Sequence, residues 1–578
     1  MKVSLVNKTP NNSFRINSSE SETKTAPIKE HKRPDYGSEK RQSFNRNLFK
    51  KVKQWWPLSK ISGRIFLIYT LIVLLGGFLL TIPGVLTIYE DESKNIFHWD
   101  FLTGIFTASS AFSDTGINIV DPSHDYTFWG QLLILIMIEV GGLGVLTLKI
   151  VLFLAINKKI SLNDTVTAQT ERGSSVTSST IEMIRDGFIW LTIVQFIAAI
   201  FLFFVFFFTE PGIVTNNSQN SVNGPNDATL NVVSPFHNFG KSLWFAIFHS
   251  TSAINNAGFD IISEASLQPY NVENHYAYLL QMIFLLEWVI GGLGYPTFHD
   301  IKRKIRARRS GQTVRFSLFT KLNFCVYITL FVVGPLSVLG AELGNYDKSL
   351  LFHNYSFDVD PTTGQPSNIA ITNAKPVGVA LMDIFFNTTS ARNAGFSTIN
   401  TNDFNAGSKT ILSVMMFIGS APSSTAGGIR TTTFAIIILA NWAIIKNRSQ
   451  TSAFKKTIPD KTVKRAFAVF FISVALIVLA LIIIYCDSSN VLSPSNSPEL
   501  NGNNSIIEIM TLITSAFGTV GLNPFTQYQM MHFGTLTKIV IIIGMFLGQL
   551  GISNTLLVFI KPSRKRPYQY LEEDVTIG

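Results

Sequence analysis

Long apolar segments alternate with short ones along most of the chain. Eight segments have the length of a membrane-spanning helix, which needs about 20 mostly apolar residues. They are approximately 65–89, 128–156, 187–209, 276–298, 321–342, 409–445, 465–486 and 534–560. Between the two members of each successive pair lies a run of roughly 12 apolar residues, too short to span a bilayer. These shorter runs lie near 99–112, 241–254, 379–391 and 505–517 and predict re-entrant half-helices.

A polar turn that contains glycine follows each short run. Irregular backbone is tolerated at membrane depth only where it lines a water-filled cavity or is buried in protein. The pattern therefore predicts an all-α integral membrane protein of eight spans, with four parallel helix–re-entrant half-helix–helix repeats around a central pore. The predicted regions are a basic tail at 1–64, repeats at 65–160, 185–300, 318–446 and 464–562, and a C-terminal segment at 563–578.

The composition agrees with a membrane protein. Of the 578 residues, 47% are apolar and 15% are charged, whereas a soluble protein carries about 25% charged residues. The two cysteines, Cys325 and Cys486, are too few for a disulfide framework or a cysteine zinc site. The chain contains neither a phosphate-cradling loop motif nor a zincin motif, so the sequence predicts no enzyme activity and no cofactor bound by this chain.

The basic residues predict the orientation of the chain. Of the 47 Lys and Arg, 38 fall in the N-terminal tail, in the three linkers between repeats and after Ile560. These five segments lie on one side of a membrane if each repeat goes out and returns, and the positive-inside rule makes that side cytoplasmic. The net charge of +10 is therefore a topology signal and does not indicate nucleic-acid binding. Within the tail, residues 47–56 are either a disordered basic segment or an interfacial helix.

The four polar turns align with one another. Each begins with Ser-Ala, at Ser110, Ser252, Ser390 and Ser515, and each reaches a glycine after four or five further residues. A dehydrated cation needs a cage of oxygens, which backbone carbonyls provide when glycine permits the unusual backbone angle. A ring of carbonyls without formal charge suits a monovalent cation. The predicted ion-binding residues are Thr115, Gly116, Ala257, Gly258, Ala394, Gly395, Thr519, Val520 and Gly521.

Three further motifs lie in the return helices. They are Glu139–Gly144, Gly291–Gly294 and the longer segment Gly419–Thr433. With the four turns, they make residues 60–562 resemble the Trk/Ktr/HKT superfamily of potassium transporters, and most of all the bacterial KtrB-type membrane subunit. The resemblance implies potassium bound at the filter carbonyls and an intramembrane gate below the filter. The implied gate residues are Gly419, Ser423, Ser424, Thr425, Gly427, Gly428 and Gln549.

The resemblance also implies partners. It predicts a homodimer in the lipid of the cell membrane, a cytoplasmic KtrA-type ring of nucleotide-binding regulatory proteins, and potassium uptake that depends on sodium. One residue departs from the family pattern, because Gln549 occupies the position of the family's arginine. An alternative is the ion-translocating subunit of an ATP-driven, Kdp-like potassium pump. A secondary carrier with inverted repeats conflicts with four parallel repeats.

Four charged residues lie near the predicted filter or inside predicted spans. Asp114, two residues before Gly116, either bonds local backbone or attracts cations at the outer mouth. Glu139 and Glu287 are expected to have structural partners, with Lys149 or Arg392 as candidates, because ionisable groups inside spans usually face the protein interior. Arg392 is interpreted as a brace behind the filter, since a positive charge on the axis would repel potassium.

Overall fold

The computed structural model describes residues 61–87, 90–91, 96–97, 100–156, 165, 180–212, 232–273, 275–359, 366–489 and 505–552. Most of the predicted N-terminal tail, including residues 47–56, lies outside the described residues, as does the C-terminal segment 563–578. The predictions made for these two regions therefore remain predictions.

The described residues are mostly helical. The helices are α1 (Ile61–Leu80), α2 (Phe101–Phe112), α3 (Phe128–Leu143), α4 (Val145–Ala155), α5 (Thr180–Phe208), α6 (Phe239–Ile254), α7 (Tyr278–Gly291), α8 (Tyr295–Arg309), α9 (Leu318–Leu343), α10 (Val377–Ser390), α11 (Ala406–Phe417), α12 (Thr431–Ile445), α13 (Asp460–Asp487), α14 (Ser505–Gly518), α15 (Gln527–His532) and α16 (Thr535–Leu550). Short 3-10 turns lie at Gln268–Tyr270, Tyr346–Lys348 and Thr401–Asp403.

Three antiparallel hairpins add a small amount of strand, which the prediction of an all-α fold missed. Their strands are β1 (Glu90–Asp91), β2 (Ile96–Phe97), β3 (His353–Val359), β4 (Pro366–Ala374), β5 (Ser452–Ala453) and β6 (Lys456–Thr457). The longest pair, β3 and β4, runs from His353 opposite Ala374 to Val359 opposite Pro366. Its alternation of Tyr, Phe and Ile with polar residues is a strand pattern, within the stretch that was predicted as the third repeat.

Four described helices are long and apolar enough to cross a membrane, namely α1, α5, α9 and α13. Two further spans result if the bent pairs α3–α4 and α7–α8 each count as one, although each pair bends by 90°. The third return segment is divided into α11 and α12, and the fourth return helix, α16, has 16 residues. The eight-span arrangement therefore remains a prediction in its detail.

The four predicted half-helices are present as α2, α6, α10 and α14, with 12 to 16 residues each. Two of them begin at side-chain caps. Asp100 accepts from the amide of Leu102 at 3.0 Å, and Asn238 accepts from the amide of Lys241 at 3.0 Å. Such caps satisfy amides that the first helical turn leaves without partners. Side-chain caps therefore define the start of α2 and α6, and the polar turn follows the far end of all four half-helices.

Close packing fixes the half-helices against their neighbours. Where α1 crosses α2, a Cβ on Gly77 would lie 2.8 Å from the Cα of Ile105, so only glycine fits at this contact. The second and third turns are held by an aromatic cluster, in which the rings of Trp288 and Phe386 lie 4.9 Å apart and those of Phe284 and Phe396 lie 4.7 Å apart. All four rings are buried.

Candidate functional site

The serine of each Ser-Ala pair holds its turn through its backbone carbonyl. The amide just before the filter-position glycine donates to that carbonyl in all four repeats. The bonds are Thr115 to Ser110 at 2.9 Å, Ala257 to Ser252 at 2.8 Å, Ala394 to Ser390 at 2.9 Å and Val520 to Ser515 at 2.9 Å. Two serine hydroxyls add support, since Ser252 Oγ donates to Phe259 O at 2.6 Å and Ser515 Oγ accepts from Gly521 N at 3.1 Å.

Each turn passes through a left-handed backbone conformation at its glycine. The φ angles are +81° at Gly116, +68° at Gly258, +78° at Gly395 and +108° at Gly521. Glycine adopts these angles without the steric cost that a Cβ imposes. The third turn is one residue shorter, and it lacks the second left-handed residue that the others have at Asp114, Asn256 and Thr519.

The four glycines form a closed ring. A Cβ on Gly116 would lie 2.5 Å from Ala257 O, one on Gly258 would lie 2.7 Å from Ala394 O, and one on Gly395 would overlap Val520 O. The ring is closed by the contact between the fourth and first turns, because a Cβ on Gly521 would lie 2.5 Å from Thr115 O. The carbonyl before each glycine therefore lies against the glycine of the preceding repeat. We call Gly116, Gly258, Gly395 and Gly521 the glycine ring.

A cavity of about 170 Å³ lies on one side of the glycine ring, and all four glycines line it. Three carboxylates also line it, from Asp121, Asp260 and Glu264. Burial, and then the charge of Asp121, raise the pKa of Asp260 to about 8. Asp260 lies in the loop that follows the second turn, outside the spanning helices. The cavity is thus an open, acidic mouth that leads to the ring.

On the other side of the ring, side chains reach from the turns into neighbouring repeats. They belong to the residues two positions before the ring glycines. Gln549 Nε2 donates to Asp114 Oδ2 at 3.1 Å, and Asn256 Nδ2 donates to Thr425 Oγ1 at 2.5 Å. The amide of Gly427 donates to Thr519 Oγ1 at 2.7 Å. The Thr519 hydroxyl, predicted as part of the filter, therefore lies on the side of the predicted gate.

The third return helix is interrupted at residues 418–430, which we call the break. Tyr295 N donates to Ser423 O at 3.1 Å, and Arg392 Nη2 donates to Gly419 O at 3.1 Å. Ser424 Oγ donates to Ala421 O at 2.7 Å. The backbone is left-handed at Ser423 and Gly428, with φ angles of +63° and +74°. The break is buried apart from Pro422 and Arg430, which are half-buried. It lies against the turns below the glycine ring.

A cavity of about 30 Å³ lies beside the break, lined by Ser423, Ser424, Arg430 and Gln549 with residues of the first return helix. It has room for one or two water molecules. Arg430 donates to the carbonyls of Ala426 and Gln549, the second at 3.0 Å. Three of the predicted gate residues, Ser423, Ser424 and Gln549, therefore line one narrow space together with the charged Arg430.

The two glutamates inside the spans, Glu139 and Glu287, have neutral hydrogen-bond partners. Glu139 Oε2 accepts from Asn255 Nδ2 at 3.0 Å, and Glu287 Oε1 accepts from Ser250 Oγ at 2.6 Å. The expected ionic partners, Lys149 and Arg392, are not the groups in these bonds. Arg392 instead lies over the Tyr327 ring at 4.4 Å while it bonds Gly419, a position that agrees with a brace between the third turn and the break.

One property of the return helices was not predicted from the sequence. Glycines with φ of +75°, +79° and +77° follow α3, α7 and α16, at Gly144, Gly294 and Gly551. Three residues before each of these glycines lies another glycine, which packs against a carbonyl at the end of a half-helix. A Cβ added there would overlap that carbonyl; the pairs are Gly141 with Phe112 O, Gly291 with Ile254 O and Gly548 with Phe517 O. The repeated G-G-L-G motif was the available signal, and it predicts an interruption in the first two return helices as well as the third.

Comparisons with known proteins identify the family of the chain. The family model described as "TrkH: Cation transport protein" matches residues 66–566. An uncharacterized cation transporter of Mycoplasma genitalium, MG322, is 30% identical over 90% of this chain and 97% of its own length. The Ktr system potassium uptake protein B of Bacillus subtilis is 25% identical over 88% of this chain and 96% of its own.

The fold comparison points the same way. The crystal structure of the potassium transporter TrkH from Vibrio parahaemolyticus matches 86% of this chain and 83% of its own, with a TM-score of 0.55 and 15% identity. That likeness concerns the fold alone. The family of the chain is that of a transport protein and not of an enzyme. The chain therefore belongs to the TrkH family of cation transport proteins, within the Trk/Ktr superfamily.

Proposed function

We propose that the protein takes up potassium across the cell membrane, through a pore formed by a single chain. The observation that carries the proposal is the closed glycine ring below an acidic mouth. Backbone carbonyls in a ring replace the hydration shell of a monovalent cation without binding it too tightly to leave. The name of the Bacillus subtilis relative, a potassium uptake protein, supports potassium as the substrate.

The ring glycines and the residues before them are the proposed ion-binding positions. In this proposal, potassium contacts the carbonyls of Thr115, Ala257, Ala394 and Val520, with Thr519 supporting the fourth turn from behind. The carboxylates of the mouth raise the local concentration of cations. The four repeats at 65–160, 185–300, 318–446 and 464–562 each contribute one turn.

The break at 418–430 is the proposed gate. It lies below the ring, its glycines and Pro422 disfavour helix, and polar side chains of other repeats hold it in place. The narrow cavity beside it corresponds to a closed passage. A cation passes when the break moves away from Thr519 and Asn256, so the bonds to these two residues stabilise the closed state.

Four further parts of the proposal rest on the resemblance to Ktr-type subunits. They are a homodimer, cytoplasmic termini, sodium-dependent uptake and control by a cytoplasmic ring of nucleotide-binding proteins. The basic linkers support the orientation through the positive-inside rule. Because the chain has no phosphate-cradling loop motif, regulation by ATP requires the partner.

Potassium flux into vesicles that contain the purified protein tests the proposal. We expect uptake of potassium that exceeds uptake into empty vesicles, and stimulation by sodium. ATP should change the flux only when a Ktr-type regulatory ring is added. Absence of potassium flux from correctly folded protein would refute the transport proposal, and ATP binding to this chain alone would refute the proposed mode of regulation.

A further inference from the structure

Helix α8 carries a dense cluster of basic residues. After Asp300, it contains six Lys and Arg and no acidic residue up to its end at Arg309. Arg306, Arg308 and Arg309 are exposed, and within the described part of the chain no salt bridge involves them. Lys302 and Arg303 are paired with Asp186 and Asp300, so the unneutralised positive charge of the helix lies mainly on these three arginines near its end.

The packing of α8 fixes its depth relative to a membrane. It meets the apolar helix α7 at 90°, so it lies across the direction of that helix. Lys302 Nζ and His299 Nδ1 contact the carboxylate of Asp186 at 2.5 and 3.1 Å. Asp186 lies in α5 immediately before its long apolar stretch, Gly187–Phe208, which is about 33 Å long and matches the hydrocarbon thickness. Helix α8 therefore lies at the edge of the membrane, on the side predicted to be cytoplasmic.

The start of α8 is bonded directly to the break. Tyr295 N donates to Ser423 O at 3.1 Å, and Ala421 N donates to Gly292 O at 3.3 Å. A Cβ on Gly294, between these two positions, would lie 2.7 Å from Pro422 O. The backbone of the α7–α8 bend thus contacts three consecutive residues of the break, so a displacement of α8 acts on the break without an intermediate element.

From these contacts we infer that α8 binds the headgroups of anionic phospholipids, and that this binding holds the break in its closed, bonded arrangement. Basic clusters beside a spanning helix are attracted to anionic lipid surfaces. A helix in the plane of the interface presents its charges to headgroups, and Ile305, exposed between the basic residues, supplies an apolar contact. The effect on the gate rests on the proposed function, whereas lipid binding does not.

Hydrogen–deuterium exchange in nanodiscs tests lipid binding without any transport measurement. The protein is measured in discs of phosphatidylcholine alone and in discs that also contain roughly one third phosphatidylglycerol. We expect amide exchange of residues 295–309 to be about threefold slower in the discs with phosphatidylglycerol than in those without it. In the variant Arg306→Gln/Arg308→Gln/Arg309→Gln, exchange should proceed at the same rate in both kinds of disc. The matched control, Arg448→Gln/Lys455→Gln/Lys456→Gln, removes three exposed charges from another basic linker and should keep the difference between the discs.

Potassium flux in vesicles of the same two compositions tests the effect on the break. The parent and the control should conduct about threefold less in the anionic vesicles, and the α8 variant should conduct equally in both. Equal exchange in both discs, or equal loss in the control, would overturn the inference. If added polyglutamate slows exchange and phosphatidylglycerol does not, α8 docks an acidic protein and the lipid assignment is wrong.

Two outcomes separate the inference from the proposed function. Slower exchange in anionic discs, with no potassium flux in either kind of vesicle, would refute the transport proposal and leave lipid binding in place. Slower exchange with potassium flux that is equal in the two compositions would overturn the link between α8 and the break.

Discussion

The glycine ring and the break are both irregular backbone in the centre of the protein, but they are held in different ways. In each turn of the ring, the same backbone bond to a serine carbonyl recurs, and the glycines contact one another through backbone. The break occurs once, and side chains hold it: Asn256 and Thr519 belong to other repeats, and Arg392 belongs to the turn of the same repeat. The ring should therefore be sensitive to any added Cβ, and the break to the loss of single polar side chains.

The largest effect is expected from Gly395→Ala. Its Cβ would overlap Val520 O and lie 2.8 Å from the Cα of Gly521, and φ is +78°. The angle alone costs about 1–2 kcal/mol for a residue with a side chain, and the backbone of the fourth turn must also shift. We expect potassium uptake to fall by at least about tenfold, as measured in vesicles.

Gly84→Ala is the matched control for this change. Gly84 has nearly the same φ, +80°, but nothing lies within 4 Å of an added Cβ. It therefore reports the cost of the backbone angle without the contact, and its uptake should stay close to that of the parent. An equal loss of potassium uptake in both variants would show that the contacts around the glycine ring do not contribute to uptake.

The ring was predictable from the sequence because the residues that form it are local. Ser-Ala and glycine recur at fixed spacing, and each turn closes on a serine only four or five residues earlier. The bonds that hold the break were not predictable, because their partners are 27 to 169 residues away in the chain. No spacing in the sequence pairs Thr425 with Asn256 or Gly427 with Thr519.

Partner assignments for the buried acids failed for the same reason. Complementary charge suggested Lys149 or Arg392, but folding brought Asn255 to Glu139 and Ser250 to Glu287. The β3–β4 hairpin was not predicted, because the length of apolar runs was used to predict elements and does not detect the two-residue alternation of a strand. The bends of the first two return helices had a visible signal in their G-G-L-G motifs, which the sequence analysis used only for the family resemblance.

A smaller effect, in the opposite direction, is expected from Thr425→Val. The substitution keeps the shape of the side chain but removes the hydroxyl that accepts from Asn256 Nδ2 at 2.5 Å. A buried amide left without its partner costs about 1–3 kcal/mol in the closed arrangement. Basal potassium flux should rise several-fold. Thr410→Val, an exposed change on α11 before the break, should leave the flux unchanged.

Gln549→Arg should lower basal flux by about twofold. The amide of Gln549 donates to Asp114 Oδ2 at 3.1 Å, and a guanidinium at this position would make a stronger, charge-assisted bond to the same carboxylate. It would also add positive charge beside Arg430 in the narrow cavity. Gln549→Leu, which removes the bond, should raise the flux. An equal response of both variants would show that Gln549 has no part in the closed state.

An effect of similar size is expected at the acidic mouth. The pKa of Asp260 is raised to about 8, so its carboxylate gains negative charge as the pH rises from 7 to 9. The added charge attracts cations, and uptake from dilute potassium should rise by about twofold over this range. Asp260→Asn should abolish the rise. Asp347→Asn, which removes an exposed carboxylate that does not line the cavity, should retain it.

The most direct test of the glycine ring as a selectivity filter is the ratio of potassium to sodium uptake in Gly116→Ser. A Cβ on Gly116 would lie 2.5 Å from Ala257 O and 2.8 Å from the carbonyl carbon of Gly258, so the serine must displace the carbonyls of the second turn. We predict that the variant reaches the membrane in normal amounts and discriminates less between potassium and sodium than the parent does. An unchanged ratio at normal expression would contradict the assignment of the ring as the filter.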